Sequence, residues 1–120
     1  MYPFNRFIQC YSHHGRIGVL VEFGLETRMV TERADFLELS RAVAMHIAAL
    51  NPESLEALLQ QTYVKDSTIS VGEALSKGST LLGERISIIR FIRWDKDPVP
   101  PPQDPTPPKD PAVAMKLKRA

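Results

Sequence analysis

Arg16-Ile-Gly-Val-Leu-Val-Glu-Phe23 and, thirteen positions on, Phe36-Leu-Glu-Leu-Ser-Arg-Ala-Val-Ala-Met-His-Ile-Ala-Ala-Leu50 together decide the fold. In the first stretch Ile17, Val19, Val21 and Phe23 fall on one face and Arg16, Gly18, Leu20 and Glu22 on the other, the period of a strand with one face built for burial. From Phe36 the rhythm changes. Phe36, Leu39, Val43, Ile47 and Leu50 recur at three- and four-residue steps, which predicts a helix whose single apolar stripe lies on the sheet.

Working outward, Phe4 to Ser12 mixes aromatics and Ile8 with polar residues and reads as an outer strand with both faces partly covered. His13-His14-Gly15 supplies a tight reversal, because Gly15 accepts positive φ, so the first two strands form an antiparallel hairpin. The adjacent histidines point apart on a turn and lack a further ligand, so the reading is structural and no metal is expected. The helix is expected to start near Thr31 or Glu32, with the threonine as cap and Glu32 and Asp35 at the positive helix end. Pro52 closes it by Leu50 or Asn51, and Glu53 and Ser54 open a second short helix through Leu55, Leu58 and Leu59.

Val71 to Leu82 reads as a further helix, broken or frayed where Gly78 and Ser79 weaken it by roughly 1 kcal/mol relative to alanine. Arg85 to Trp94 is a third strand with apolar residues at both parities, which implies cover on both faces. The fold class expected is α+β, three antiparallel strands with helices on one face, with the position of the last strand left open. From Asp97 the composition shifts: eight of the ten prolines lie between Pro98 and Pro111, so 1–96 reads as one domain and 97–120 as a disordered, proline-rich tail.

Composition sets the outer limits. At 120 residues, 43% hydrophobic and 24% charged, the chain suits one small globular domain. A formal charge of +1 gives no reason to expect a nucleic-acid or membrane partner. Cys10 is the sole cysteine, so no intrachain disulfide or redox pair forms, and with no membrane span or secretory signal the expected location is cytoplasmic. No triad, metal constellation or phosphate-binding glycine loop is present, so no enzyme and no cofactor is expected.

Between strand and helix, Glu22-Phe-Gly-Leu-Glu-Thr-Arg-Met-Val-Thr-Glu32 resembles the Glu-Val-Asn-Cys-Glu-Thr-Asp-Phe-Val-Ala-Arg stretch of the elongation factor Ts family, nucleotide-exchange factors of the GTPase EF-Tu. Glu22, Glu26, Thr27 and Val30 match. Arg28 stands where that family has Asp, and Met29 where it has the Phe that wedges into the GTPase beside its magnesium site. Further pieces follow in the family's order. Ala44-Met-His-Ile-Ala-Ala49 matches a family helix, Gln61-Thr-Tyr-Val-Lys-Asp66 resembles Gln-Pro-Phe-Val-Lys-Asp, Ser70-Val-Gly-Glu-Ala-Leu75 resembles Thr-Val-Gly-Glu-Leu-Leu, and Gly83 to Arg93 resembles Gly-Glu-Asn-Ile-Val-Val-Arg-Arg-Phe-Val-Arg.

The resemblance covers about Ile8 to Trp94 and implies the family's core or dimerisation domain. With only Met1 to Phe7 ahead of the match, the small ubiquitin-associated-like helical domain with which such factors begin is expected to be lacking. It implies an EF-Tu-like GTPase as partner, contacted by Thr27, Arg28, Met29 and Val30, and by His46. The residues themselves favour a packed role for His46, beside Val43 and Leu50 and bonded to a nearby carbonyl. By analogy with single-core relatives it also implies a homodimer formed through the sheet, with Ile89, Phe91, Arg93 and Trp94 as interface candidates. The function expected is translation elongation, promoting guanine-nucleotide exchange on EF-Tu with reduced activity. The alternative is a degenerate interaction or scaffold domain of the same fold without exchange.

Overall fold

A computed structural model describes residues 5–97. Strands β1 (Asn5–His13) and β2 (Ile17–Leu25) form the expected hairpin, with Asn5 opposite Leu25 and His13 opposite Ile17. Its turn is closed by the Arg16 N–H donating to the His13 carbonyl at 2.9 Å, and both central residues take positive φ, His14 at 54° and Gly15 at 69°. Strand β3 (Ser87–Asp95) pairs antiparallel with the other side of β2, giving the order β1-β2-β3. This settles the position that periodicity left open: the strand with the cleanest alternation is the central one.

Pairing fixes the faces. Phe7, Gln9 and Tyr11 stand opposite Phe23, Val21 and Val19, which in turn face Ile88, Phe91 and Arg93. The register slips between Glu22 and Phe23, since Glu22 faces Arg90 while Phe23 faces Ile88, leaving Ile89 as the extra residue of a bulge. That slip explains the apolar residues at both parities of β3: Ile88 and Phe91 are three apart yet share the core side. In β1 the alternation of half-buried and exposed residues shows cover on one face only, correcting the expectation of two covered faces.

Helix α1 (Ala34–Leu50) closes the core face. Phe36 is fully buried and meets Phe7 and Phe23 edge-on, at centroid distances of 5.2 and 5.7 Å. Val43 and Ile47 are fully buried as well, but Leu39 is only half-buried and Leu50 is exposed, so the expected five-residue stripe seats three residues in the core. The helix starts later than expected. A single 3-10 turn, Met29–Glu32, precedes it, and Thr31 bonds back to the Arg28 carbonyl instead of capping α1. Its end falls as read: Asn51 takes the left-handed conformation and its N–H bonds the Ile47 carbonyl.

Helix α2 (Leu55–Gln60) is capped by Ser54, whose side chain accepts the Ala57 N–H. Helix α3 (Val71–Leu82) opens with a reciprocal Ser70–Glu73 capping box and ends at Gly83 in the left-handed region. It runs unbroken through Gly78, against expectation. The reason is packing: a Cβ at Gly78 would come within 2.6 Å of Leu39 Cδ2, so the glycine is the seat for a side chain of α1. The proline-rich stretch beyond Asp97 lies outside the described residues.

Candidate partner-binding surfaces

Three places carry the residues singled out by sequence. The first is the tip between β2 and α1. Thr27, Arg28 and Met29 are exposed, Met29 at 77%, whereas Val30 is 2% exposed and belongs to the core. Of the four contact residues expected at the tip, three therefore present themselves to solvent and the fourth anchors them. The segment is held from the far side of the chain. The Glu84 carboxylate, in the loop between α3 and β3, accepts the Glu26 N–H at 3.0 Å, the Thr27 N–H at 3.1 Å and the Thr27 hydroxyl at 2.7 Å. In return Glu26 Oε2 accepts the Arg85 N–H at 3.2 Å, and Asn5 donates its side-chain amide to the Glu26 carbonyl at 3.0 Å. Burial alone would raise the Glu84 pKa, but bonds from Thr27 and Glu26 outweigh it and hold the carboxyl below its ordinary value.

Sequence reasoning noted Glu26-Thr27 and Gly83-Glu84 as separate motifs. The structure joins them. The signal available was a pair of carboxylates, each next to a loop that had to be fastened, but nothing in their 58-residue separation announced the contact.

The second place is His46, which is fully buried. Its Nδ1 accepts the Val64 N–H at 3.1 Å, so that nitrogen carries no proton; Nε2 then donates to the Gln61 side-chain carbonyl at 2.9 Å. Burial lowers its pKa, and the Gln61 bond offsets this only in part. The packed reading of this residue holds. As a surface contact it is misplaced, because both ring nitrogens are occupied inside the chain. Here too two motifs meet, since Gln61 and Val64 come from the segment that follows α2, turned back on itself by the Tyr63 N–H to Ile69 carbonyl bond at 2.9 Å.

The third place is the sheet face away from the helices. Ile8, Leu20, Ile92 and Trp94 lie there, exposed at 53, 46, 45 and 72%. Among them Glu22 is 8% exposed, with Arg90 Nε at 2.8 Å and Arg6 Nη1 at 3.6 Å. Of the expected interface residues, Trp94 is on this open face. Phe91 packs against the core, Ile89 sits half-buried at the bulge, and Arg93 turns inward to donate Nε and Nη2 to the Ala48 carbonyl at 3.2 and 3.0 Å. The bulge is the cause, because it puts Phe91 and Arg93 on the same side of β3 as Ile88. No group of three or more His, Cys, Asp or Glu that could hold a metal occurs among the described residues. No helix among them is long and apolar enough to cross a membrane.

The family model described as Elongation factor TS matches residues 3–57, which includes β1, β2, the tip and α1. The chain belongs to the elongation factor Ts family. It is 31% identical to elongation factor Ts of Myxococcus xanthus over 133 aligned positions, covering 73% of this chain and 61% of that protein. It is 29% identical to the factor of Alkaliphilus oremlandii, over 73% of this chain and 62% of that one. A shorter match, 38% identical over 73 positions, links it to the factor of Desulfotalea psychrophila, with 59% of this chain and 37% of that protein covered.

The chain thus spans about three fifths of the length of the first two elongation factors Ts. Their alignments run over more positions than the chain has residues, so these relatives carry insertions within the matched span. That fits the short link from Pro52 to Gln61, which here holds only α2.

Proposed function

We propose that this elongation factor Ts relative binds an EF-Tu-like GTPase through Thr27, Arg28 and Met29 and promotes GDP release during translation, less effectively than relatives with Asp-Phe at the tip. The observation that carries the reading is the tip itself: a large apolar side chain, Met29, 77% exposed on a segment anchored by Val30 and Glu84. Exchange of this kind needs no nucleophile or base. A factor that binds the nucleotide-free GTPase better than the loaded form shifts the equilibrium toward release, so the role is binding and not catalysis of a bond change. Met29 is a more flexible wedge than Phe, and Arg28 reverses a charge, which together argue for weaker insertion. A cytoplasmic location follows from the partner, and neither nucleic acid nor membrane enters the scheme.

The open sheet face supports a homodimer as the working form, with Ile8, Leu20, Ile92 and Trp94 covered by a second copy. The same face favours the second reading, a scaffold that self-associates and has lost exchange. Release of labelled GDP from EF-Tu separates the two. Acceleration by the unaltered chain supports exchange, and the double change Arg28→Asp, Met29→Phe is expected to increase it severalfold. A folded oligomer that neither binds EF-Tu nor alters GDP release supports the scaffold.

A further inference from the structure

We propose that Glu84 is a positioning residue for the partner contact, fixing the tip from outside the segment that makes the contact; this rests on the EF-Tu reading above. The loop leaving β2 has to turn away from the sheet with its N–H groups at Glu26 and Thr27 no longer paired to a strand. One carboxylate collects both, and the Thr27 hydroxyl as well, at 2.7 to 3.1 Å. The reciprocal bond from Arg85 N–H to Glu26 and the Asn5 amide on the Glu26 carbonyl tie Glu26 to β1 and to the approach to β3. The next residues, Arg28 and Met29, are exposed.

A segment fastened in this way meets a partner already ordered, and association then spends less on fixing the loop. The recorded bonds of Glu84 side-chain oxygens all go to Glu26 and Thr27, not to the buried cluster, so its loss loosens the tip while sparing the core. Glu84→Gln keeps the shape, and its carbonyl oxygen can still accept both N–H groups, but it removes the negative charge from that acceptor and sets an NH2 against the Thr27 hydroxyl. Thr27→Val removes the hydroxyl alone, and Thr27→Ser retains it.

The experiment uses the full chain and these three variants, with thermal unfolding as the check on folding. It reads amide hydrogen exchange at Glu26 and Thr27 and the concentration giving half-maximal acceleration of GDP release from EF-Tu. Bonds to a charged acceptor being stronger than neutral ones, Glu84→Gln is expected to raise both by about tenfold. Thr27→Val moves them in the same direction, Thr27→Ser keeps the amide protection of the parent, and Glu84→Gln leaves the maximal release rate unchanged. Unaltered half-saturation in Glu84→Gln and Thr27→Val, with faster amide exchange, overturns the positioning role alone. Unaltered amide exchange overturns the latch itself. If the unaltered chain does not engage EF-Tu, the partner reading and the positioning role fall together.

Discussion

The two faces of the sheet differ sharply in cover. On the helix side of β2, Val19, Val21, Phe23 and Leu25 are 3% exposed or less, sealed by α1 through Phe36, Val43 and Ile47. On the other side of the same strand, Leu20 is 46% exposed and stands among Ile8, Ile92 and Trp94. The strands have strong β formers on both sides, yet the described residues supply only one covering layer. A small chain buries a modest share of its surface, and here that share is concentrated on one face. Folding therefore depends on the helix side, and the open side is free to be shaped by association.

The comparison is broken most directly at Phe36. It touches Phe7 of β1 and Phe23 of β2 and so links α1 to two strands at once. Phe36→Ala is expected to lower the unfolding free energy by about 3–5 kcal/mol, the range for deleting a large buried aromatic. Denaturant unfolding at low protein concentration measures it. A loss below about 1 kcal/mol would mean that the helix face is not what holds the chain folded.

The next effect depends on pH and tests the covered side where it is polar. His46 is buried as the neutral imidazole, its pKa lowered from an ordinary 6.5 first by burial. Above 6.5 neither the folded nor the unfolded chain protonates it, and its contribution is fully present. As pH falls below 6.5 the unfolded chain takes up the proton first, so stability declines until the folded pKa is reached, and then levels off. Unfolding free energies measured from about pH 7.5 to pH 5 should fall with acidification, and His46→Phe should flatten that part of the decline. The variant also leaves the Val64 N–H without its acceptor, which costs about 1–3 kcal/mol at every pH. A pH slope unchanged by the substitution would assign the proton to another group.

These two residues also mark how far the sequence could be read. Phe36 and the alternation from Ile17 to Phe23 announce the core, because burial leaves a period and the period survives without coordinates. Ile89 does not. A bulge inserts one residue without changing composition, and everything after it changes face, which is why Phe91 and Arg93 turn to the helices and not to the open face where the family analogy set them. Gly78 was read by propensity as a weak point, whereas the approach of Leu39 makes it a contact. Glu84 and Gln61 were legible as parts of family-like motifs, but their partners Thr27 and His46 lie 57 and 15 residues away, and such pairings come from tertiary packing.

The smallest stability effect is the one that sharpens the comparison, at Trp94. It is the largest exposed side chain on the open face, 72% exposed and opposite Gly18 in the register. If nothing within the folded chain covers it, Trp94→Ser removes little buried area, and the unfolding free energy of dilute protein should stay within about 0.5 kcal/mol of the parent. At higher concentration the outcome separates further. A second copy over Ile8, Leu20, Ile92 and Trp94 would bury the indole, and the substitution would then weaken association by about tenfold or more, since aromatic anchors near an interface centre carry much of its energy. Sedimentation of parent and variant across a concentration series reads this directly. A loss of several kcal/mol that does not vary with concentration would show that the chain covers Trp94 by itself, and the division between a folding face and an associating face would no longer stand.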